Sequence, residues 1–229
     1  MILVRQIFDK ESCNYTYLII SLASKKGLII DPVKEQVEKY LRLISELGIT
    51  LVYTLETHTH ADHISGSGLL AQKLGCKIVM GQESSAKYID VFLKDGETIT
   101  IDEDLSLKAI YTPGHTSDSY SYLIKNMIFT GDTLFIRGTG RCDFQGGSAK
   151  QQYHSIIHKL FTLPDNTIVY PGHDYNGMTC SSIYEEKKHN PRLKNIDEES
   201  YVHLMNNLGL AYPKRMDEAV PVNLNCGYE

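Results

Sequence analysis

The chain has no C-x-x-C pair. Its five cysteines, Cys13, Cys76, Cys142, Cys180 and Cys226, are scattered and odd in number. That argues against a disulfide framework or a zinc ribbon and for a reducing cytoplasm. No apolar run approaches membrane-spanning length, so no membrane partner is expected. The opening "MILVRQIFDKESCNYTY" lacks both the basic-then-apolar pattern of a secretory signal and the Arg/Ser-rich pattern of a transit sequence. No long run of one charge sign occurs. At a net charge of -5 there is no concentrated basic face for phosphates, which excludes nucleic acid as the obvious partner. A few local arginines would still suffice for a small anionic substrate. Linkers, repeats and low-complexity segments are also missing. What remains is a 229-residue chain, 42% hydrophobic, enough for one sizeable core. Residues 1–229 are read as a single domain, with 181–229 as a helical or irregular C-terminal extension.

Short β-branched and aromatic runs predict strands at "ILVRQIF", "YTYLIISL", "KGLIIDP", "ITLVYTLE" and "CKIVMG". Val33, Val37, Tyr40, Leu41, Ile44 and Leu47 recur at helical spacing before Gly48. "SGSGLLAQKLG" predicts a second, short helix. A second β-rich half follows from about residue 96, with "ETITI", "LSLKAIYTPGH", "YSYLI", "MIFTGD" and "NTIVYPGH". It is interrupted by a helix with Ser148 and Gln151 as a capping box and with Tyr153, Ile156, Ile157 and Leu160 on one face. Residues 181–209 read as helical, with a capping box at Ser182 and Glu185 and a break at "NPRL". The tail "DEAVPVNLNCGYE" reads as irregular. Two β-rich halves that each carry helices predict an αβ/βα sandwich.

Four His/Asp sites share one placement, each following a strand where a loop begins: "THTHADH" (His58, His60, Asp62, His63), "TPGHT" (His115), "FTGDT" (Asp132) and "YPGHD" (His173). Loops at the edge of a rigid scaffold are where binding groups concentrate. Together these sites offer five histidines and two aspartates, stock for one or two divalent metals. Nitrogen and oxygen ligands without cysteine fit Zn²⁺, Fe²⁺ or Mn²⁺. On ligand stock alone, two zinc ions are slightly favoured. Gly114, Gly131 and Gly172 each precede a ligand candidate, where a turn needs unusual angles or close approach.

This series resembles that of the metallo-β-lactamase superfamily, a four-layer αβ/βα fold. Within it, "RGTGRCDFQGGSAKQQYHSI", "EEKKHNPRL" and "DEAVPVNLNCG" are similar to segments of the persulfide dioxygenase (sulfur dioxygenase) family. The resemblance implies one Fe(II) per chain, oxidation of glutathione persulfide by O2 to sulfite and glutathione, and a homodimer as an assembly the family allows. Carried over, the iron ligands would be His58, His115 and Asp132. His60, Asp62, His63 and His173 would support them around an unused second metal position. The alternative is a glyoxalase II-like thioester hydrolase with two Zn, Fe or Mn ions, in which metal-bound hydroxide attacks the acyl carbon. Its corresponding segment is shorter than "GRCDFQGGSA". A non-catalytic binding module would be expected to have lost ligands, and a nuclease would carry a basic patch.

The family gives Arg141 a part in organising the site; a loop ion pair with Asp143 is the competing reading. Cys142 stands where the family usually has Thr and reads as a small buried bystander. Glutathione carries two carboxylates, so Arg215, Arg192 and Tyr175 are candidate substrate contacts; for Arg192 a solvated charge is the stronger reading. His154 and His158, four apart on a helix, lack the Glu of H-E-x-x-H and read as surface residues. His189 and His203 read as solvent-facing.

Overall fold

Period-two alternation decides which way each strand faces. In β2 (Tyr15–Ser21), Tyr15, Tyr17 and Ile19 enter one core while Leu18 and Ile20 enter another. The computed structural model, which describes residues 1–228, builds two six-stranded sheets on this rule. β1 (Ile2–Phe8), β2, β3 (Lys26–Ile30), β4 (Thr50–Leu55), β5 (Lys77–Gly81) and β6 (Val91–Leu93) form the first, in chain order. β7 (Thr98–Thr100), β8 (Ser106–Tyr111), β9 (Tyr120–Ile124), β10 (Met127–Gly131), β11 (Ile168–Pro171) and β12 (Ser181–Ser182) form the second, again in chain order.

The core between the sheets takes Tyr17, Ile19, Leu28 and Ile30 from one side and Tyr120, Tyr122, Ile124 and Phe129 from the other. On the outer face of the first sheet, Val37, Tyr40 and Ile44 of α1 (Val37–Leu47) and Leu70 of α2 (Ser67–Leu74) cover Leu18, Ile20 and Ile29. On the outer face of the second, α3 (Ala149–His158), α4 (Ile183–His189) and α5 (Glu198–Asn206) bring Ile156, Ile183, Tyr201 and Met205 onto Ile128 and Val169. The layers therefore run helix, sheet, sheet, helix, the αβ/βα sandwich that the sequence predicts. Among the described residues no helix is long and apolar enough to cross a membrane.

Local chemistry explains where the sequence reading holds and where it departs. Gly48 ends α1 and Gly75 ends α2, each in the left-handed conformation (φ 59° and 69°). Val33 lies before α1, ahead of a 3-10 turn over Lys34–Gln36. The two capping boxes are half made. Ser148 Oγ accepts from the Gln151 N–H at 3.3 Å and Ser182 Oγ from the Glu185 N–H at 3.2 Å. The Ser148 N–H goes instead to the Gly114 carbonyl at 2.8 Å, tying α3 to the loop that carries His115. The short strands β6 and β12 carry too few residues for a period to show.

The tail is the clear correction. "MDEAVPVN" is not irregular but forms α6 (Met216–Asn223) with Pro221 inside it. Proline there removes one backbone donor. The helix persists because Ala219 and Asn223 are buried against the body of the protein.

Strand direction positions the site. β3 and β4 are parallel. β8 and β10 both run antiparallel to β9, and β11 runs parallel to β10. Their C-terminal ends gather at one edge. Two core tyrosines extend to that edge: Tyr122 donates its hydroxyl to the Glu56 carbonyl at 2.8 Å and Tyr17 to the Pro171 carbonyl at 2.6 Å. The rings that fill the core thus brace the strand ends from which the histidine loops leave.

Candidate metal centre

His58 and His60 follow β4, His115 follows β8, Asp132 follows β10 and His173 follows β11. The glycines before them serve close approach. A Cβ on Gly172 would stand 2.5 Å from Asp132 Oδ1, and one on Gly114, at φ 143°, would stand 2.3 Å from the Gln152 backbone.

One ligand atom from each of His58, His115 and Asp132 lies within 4.8 Å of the other two. Both imidazoles are held with Nδ1 turned away from the cluster. His115 Nδ1–H donates to the Arg141 carbonyl at 2.7 Å, leaving Nε2 3.6 Å from Asp132 Oδ2. His58 Nδ1 lies 3.0 Å from Thr57 Oγ1, whose hydroxyl donates to Asp31 Oδ2 at 2.8 Å. Thr57 has spent its proton on Asp31, so it accepts from His58 and leaves His58 Nε2 unprotonated for a metal. Burial, together with the His60 and His115 rings, holds His58 well below the ordinary histidine pKa, in the neutral ligand form.

His60 is placed differently. Its Nε2 lies 3.1 Å from Asp31 Oδ1 and 3.2 Å from Glu56 Oε2, with all three side chains buried. Burial opposes a charge on this ring, yet the two carboxylates hold its pKa well above the ordinary value.

A second group stands beside the first. Asp62 Oδ2 is 3.0 Å from His63 Nδ1 and 3.6 Å from His173 Nε2, and Asp132 Oδ1 is 3.5 Å from that same His173 nitrogen. His63 Nε2 and Asp132 Oδ1 are buried without a hydrogen-bond partner among the described residues. Unpartnered buried acceptors are costly, and a cation accounts for them. The donor set, imidazole nitrogen and carboxylate oxygen, fits a divalent first-row metal.

The cluster opens into a cavity of about 570 Å³ lined by His115, Asp132, His173, Tyr175, Arg137, Arg141 and Arg192, among others. Arg141 forms the loop ion pair with Asp143, the competing reading of the sequence. Its side chain pairs with Asp143 through two bonds of 2.6 and 2.7 Å, while its carbonyl orients His115. Arg192 is not a solvated charge: it is half-buried and donates to the Thr139 carbonyl at 2.7 Å. Arg215 does not line the cavity. Its guanidinium bonds Glu35 and Glu218, each at 3.1 Å. Cys142 lies behind the site, donating to Gln152 Oε1 at 2.7 Å, and burial pushes its thiol up to about 12. His154 is exposed and pairs with Glu198 at 2.5 Å; His158, His189 and His203 are exposed.

Five residues of this site escaped the sequence reading. Asp31 directly follows β3 and Glu56 directly follows β4, the strand-end placement that singled out the histidines, so the signal was present. Arg137, with φ 59°, reaches the cavity while pairing with Glu185 and the fully buried Glu186. Gln152 donates to the Gly140 carbonyl at 3.2 Å. Asn223 of α6 donates to the His60 and His63 carbonyls at 2.9 and 2.8 Å and accepts from the Ser65 N–H at 2.8 Å. No local pattern announces those last three.

Comparison with known proteins places this arrangement. The model of the metallo-beta-lactamase superfamily matches residues 11–173. The mitochondrial persulfide dioxygenase ETHE1 of Homo sapiens is 45% identical over 100% of this chain and 90% of its own length. A beta-lactamase hydrolase-like protein of Agrobacterium fabrum is 32% identical over 98% of this chain and 60% of its own. Among solved structures, ETHE1 from Myxococcus xanthus superposes with a TM-score of 0.97 at 47% identity, covering 99% of this chain and 100% of that one.

Proposed function

The chain belongs to the metallo-β-lactamase superfamily and, within it, to the ETHE1-type persulfide dioxygenases, and from that premise we propose that it oxidises glutathione persulfide with O2 at a single ferrous ion. The balanced reaction is GSSH + O2 + H2O → GSH + H2SO3. The observation that carries the reading is the mutual approach of His58, His115 and Asp132, one ligand atom of each lying within 4.8 Å of the other two. They are two imidazoles and one carboxylate, the ligand set of non-haem ferrous oxygenases. Ferrous iron, when bound by these three, supplies the redox chemistry that O2 activation requires.

The chain's own residues supply the rest. Thr57 and the Arg141 carbonyl fix the two imidazoles with Nε2 exposed to the ion. Asp62 and His173 stand beside Asp132 on the cavity wall, where they can hydrogen-bond a polar sulfur group and hold its proton. The tripeptide is proposed to bind along the cavity with a carboxylate at Arg192. Arg137 and Arg141 already pair with carboxylates of the protein, whereas Arg192 has none among the described residues. Tyr175, stacked on His173 with centroids 6.0 Å apart, lies at the same wall as a further contact. Five cysteines, all free, support a reducing, cytoplasmic setting as part of the reading.

The test is oxygen uptake by anaerobically Fe(II)-loaded protein on addition of glutathione persulfide, with sulfite assayed alongside. Uptake matched by sulfite is expected. Hydrolysis of S-lactoylglutathione without oxygen uptake would replace this reading by the thioester hydrolase.

A further inference from the structure

Residues 144–147 close a tight turn in which the Gly147 N–H donates to the Phe144 carbonyl at 2.7 Å. Both central residues have positive φ, 48° at Gln145 and 69° at Gly146, the type I′ pattern. Glycine, asparagine and aspartate suit the first central position of such a turn. Glutamine does not: its Cβ is penalised in the left-handed region, and its longer side chain lacks the local hydrogen bonds that help asparagine there. Backbone strain of this kind concentrates at functional sites, and here the strained residue stands on the wall of the cavity.

The Gln145 side chain is fixed at one end only. Its Nε2 donates to the Thr59 carbonyl at 2.7 Å. Thr59 separates His58 from His60, so the amide is pinned against the loop that supplies the ligand candidates. The backbone is pinned too, since the Gln145 carbonyl accepts the Ser117 N–H at 3.1 Å, from the loop that carries His115. With Nε2 turned to Thr59, Oε1 is the free end of the amide. It is not a buried atom and has no hydrogen-bond partner among the described residues. Two side-chain amides line the cavity. Asn176 is exposed, whereas Gln145 is half-buried, where a hydrogen bond meets less competition from water.

In glutathione persulfide the cysteinyl N–H is the peptide donor nearest the sulfur, separated from it by two carbons. An acceptor held beside His58 meets that N–H when the sulfur reaches the cluster of His58, His115 and Asp132, while a carboxylate farther along the tripeptide lies at Arg192. We propose that Gln145 is a substrate-orienting residue whose Oε1 accepts a hydrogen bond from the cysteinyl N–H of glutathione persulfide. The inference rests on the substrate reading above.

The test combines a variant with a changed ligand. Gln145→Asn suits the turn but draws the amide back by one methylene. The ligand is a glutathione analogue in which an ester oxygen replaces the cysteinyl N–H. Binding of glutathione and of this ester to Fe(II)-loaded protein is measured anaerobically by calorimetry, with chelator competition and thermal melting alongside. Wild type is expected to bind the ester roughly tenfold more weakly than glutathione, about the worth of one hydrogen bond. Q145N is expected to bind glutathione roughly tenfold more weakly than wild type and to make no distinction between the two ligands. Its metal affinity and melting temperature should change little, because the relaxed turn offsets the lost bond to Thr59. In oxygen uptake, KM should rise for glutathione persulfide and stay unchanged for 2-hydroxyethyl persulfide, which has no peptide N–H. Equal binding of glutathione and the ester by wild type would overturn the inference, whether or not Q145N folds. A Q145N protein that loses metal affinity yet still prefers glutathione to the ester would also overturn it, since Gln145 would then only tie down the histidine loop. Failure of wild type to bind glutathione at all would sink the substrate reading, and this inference with it.

Discussion

Removing the Asn223 side chain tests whether the C-terminal helix belongs to the catalytic edge. Asn223 is 5% exposed. Its amide makes three hydrogen bonds to the backbone of the histidine loop, at 2.9, 2.8 and 2.8 Å, to residues 160 or so positions away in sequence. In Asn223→Ala, two carbonyls and one N–H lose their partner inside the protein. At about 1 kcal/mol of net stability per bond, the loss is about 3 kcal/mol, and more if no water enters to replace the amide. For a domain of this size 1 kcal/mol corresponds to roughly 2–4 °C in Tm, so the melting temperature should fall by roughly 6–12 °C. The assay is thermal melting of metal-loaded and metal-free protein. The loop carries a metal ligand, so the variant should also bind metal more weakly. Asn223→Asp keeps the acceptor for Ser65 but sets a carboxylate oxygen against two carbonyls, and it should be at least as damaging as alanine. A fall under about 2 °C, with unchanged metal affinity, would show that α6 does not hold the loop and would refute the reasoning.

Three further outcomes are expected. Gly172→Ala should leave a folded protein with little bound metal, because its Cβ would stand 2.5 Å from Asp132 Oδ1; metal content and circular dichroism check this together. Arg192→Ala should raise KM for glutathione persulfide by roughly tenfold or more, since a charge-assisted hydrogen bond is worth about 1.5–3 kcal/mol, while Arg215→Ala should leave KM unchanged, its guanidinium being engaged with Glu35 and Glu218. Burial pushes the thiols of Cys76, Cys142 and Cys226 from 9.0 up to about 11, 12 and 12. Above pH 9 the unfolded chain therefore releases thiol protons that the folded chain keeps, and stability should fall as pH rises through 9 toward 11. Urea melts across that range check the slope, and Cys142→Ala, by removing one such group, should make it shallower; exposed Cys180 should react with thiol reagents at pH 8 while Cys142 does not.

What the sequence made legible was local and periodic. The alternation Tyr15, Tyr17, Ile19 against Leu18, Ile20 already separates the two cores. The ligand candidates were legible because each follows a strand, and strands that share a direction put their ends at one edge. The surroundings of Arg215 and Arg192 were not legible, for the opposite reason. An arginine is free or engaged according to partners far away in the chain, here Glu35 for one and Thr139 for the other. The helix at Met216–Asn223 was hidden because proline counts against a helix locally, whereas what stabilises this one is burial of Ala219 and Asn223 against distant segments.

The same distinction applies to the histidine loop. A count of His and Asp assigns every imidazole to an ion, but an imidazole has a second claim on it wherever a carboxylate lies closer. Asp31 precedes His60 by 29 positions and Glu56 by four, and neither lies in the His/Asp series. Only the parallel pairing of β3 with β4 brings Asp31 beneath the loop. Asp31 then supports His58 through Thr57 and engages His60 directly. One carboxylate thereby orients the first histidine of the pair through Thr57 and the second directly. Both orientations are set from the neighbouring strand, outside the motif that names the candidate ligands.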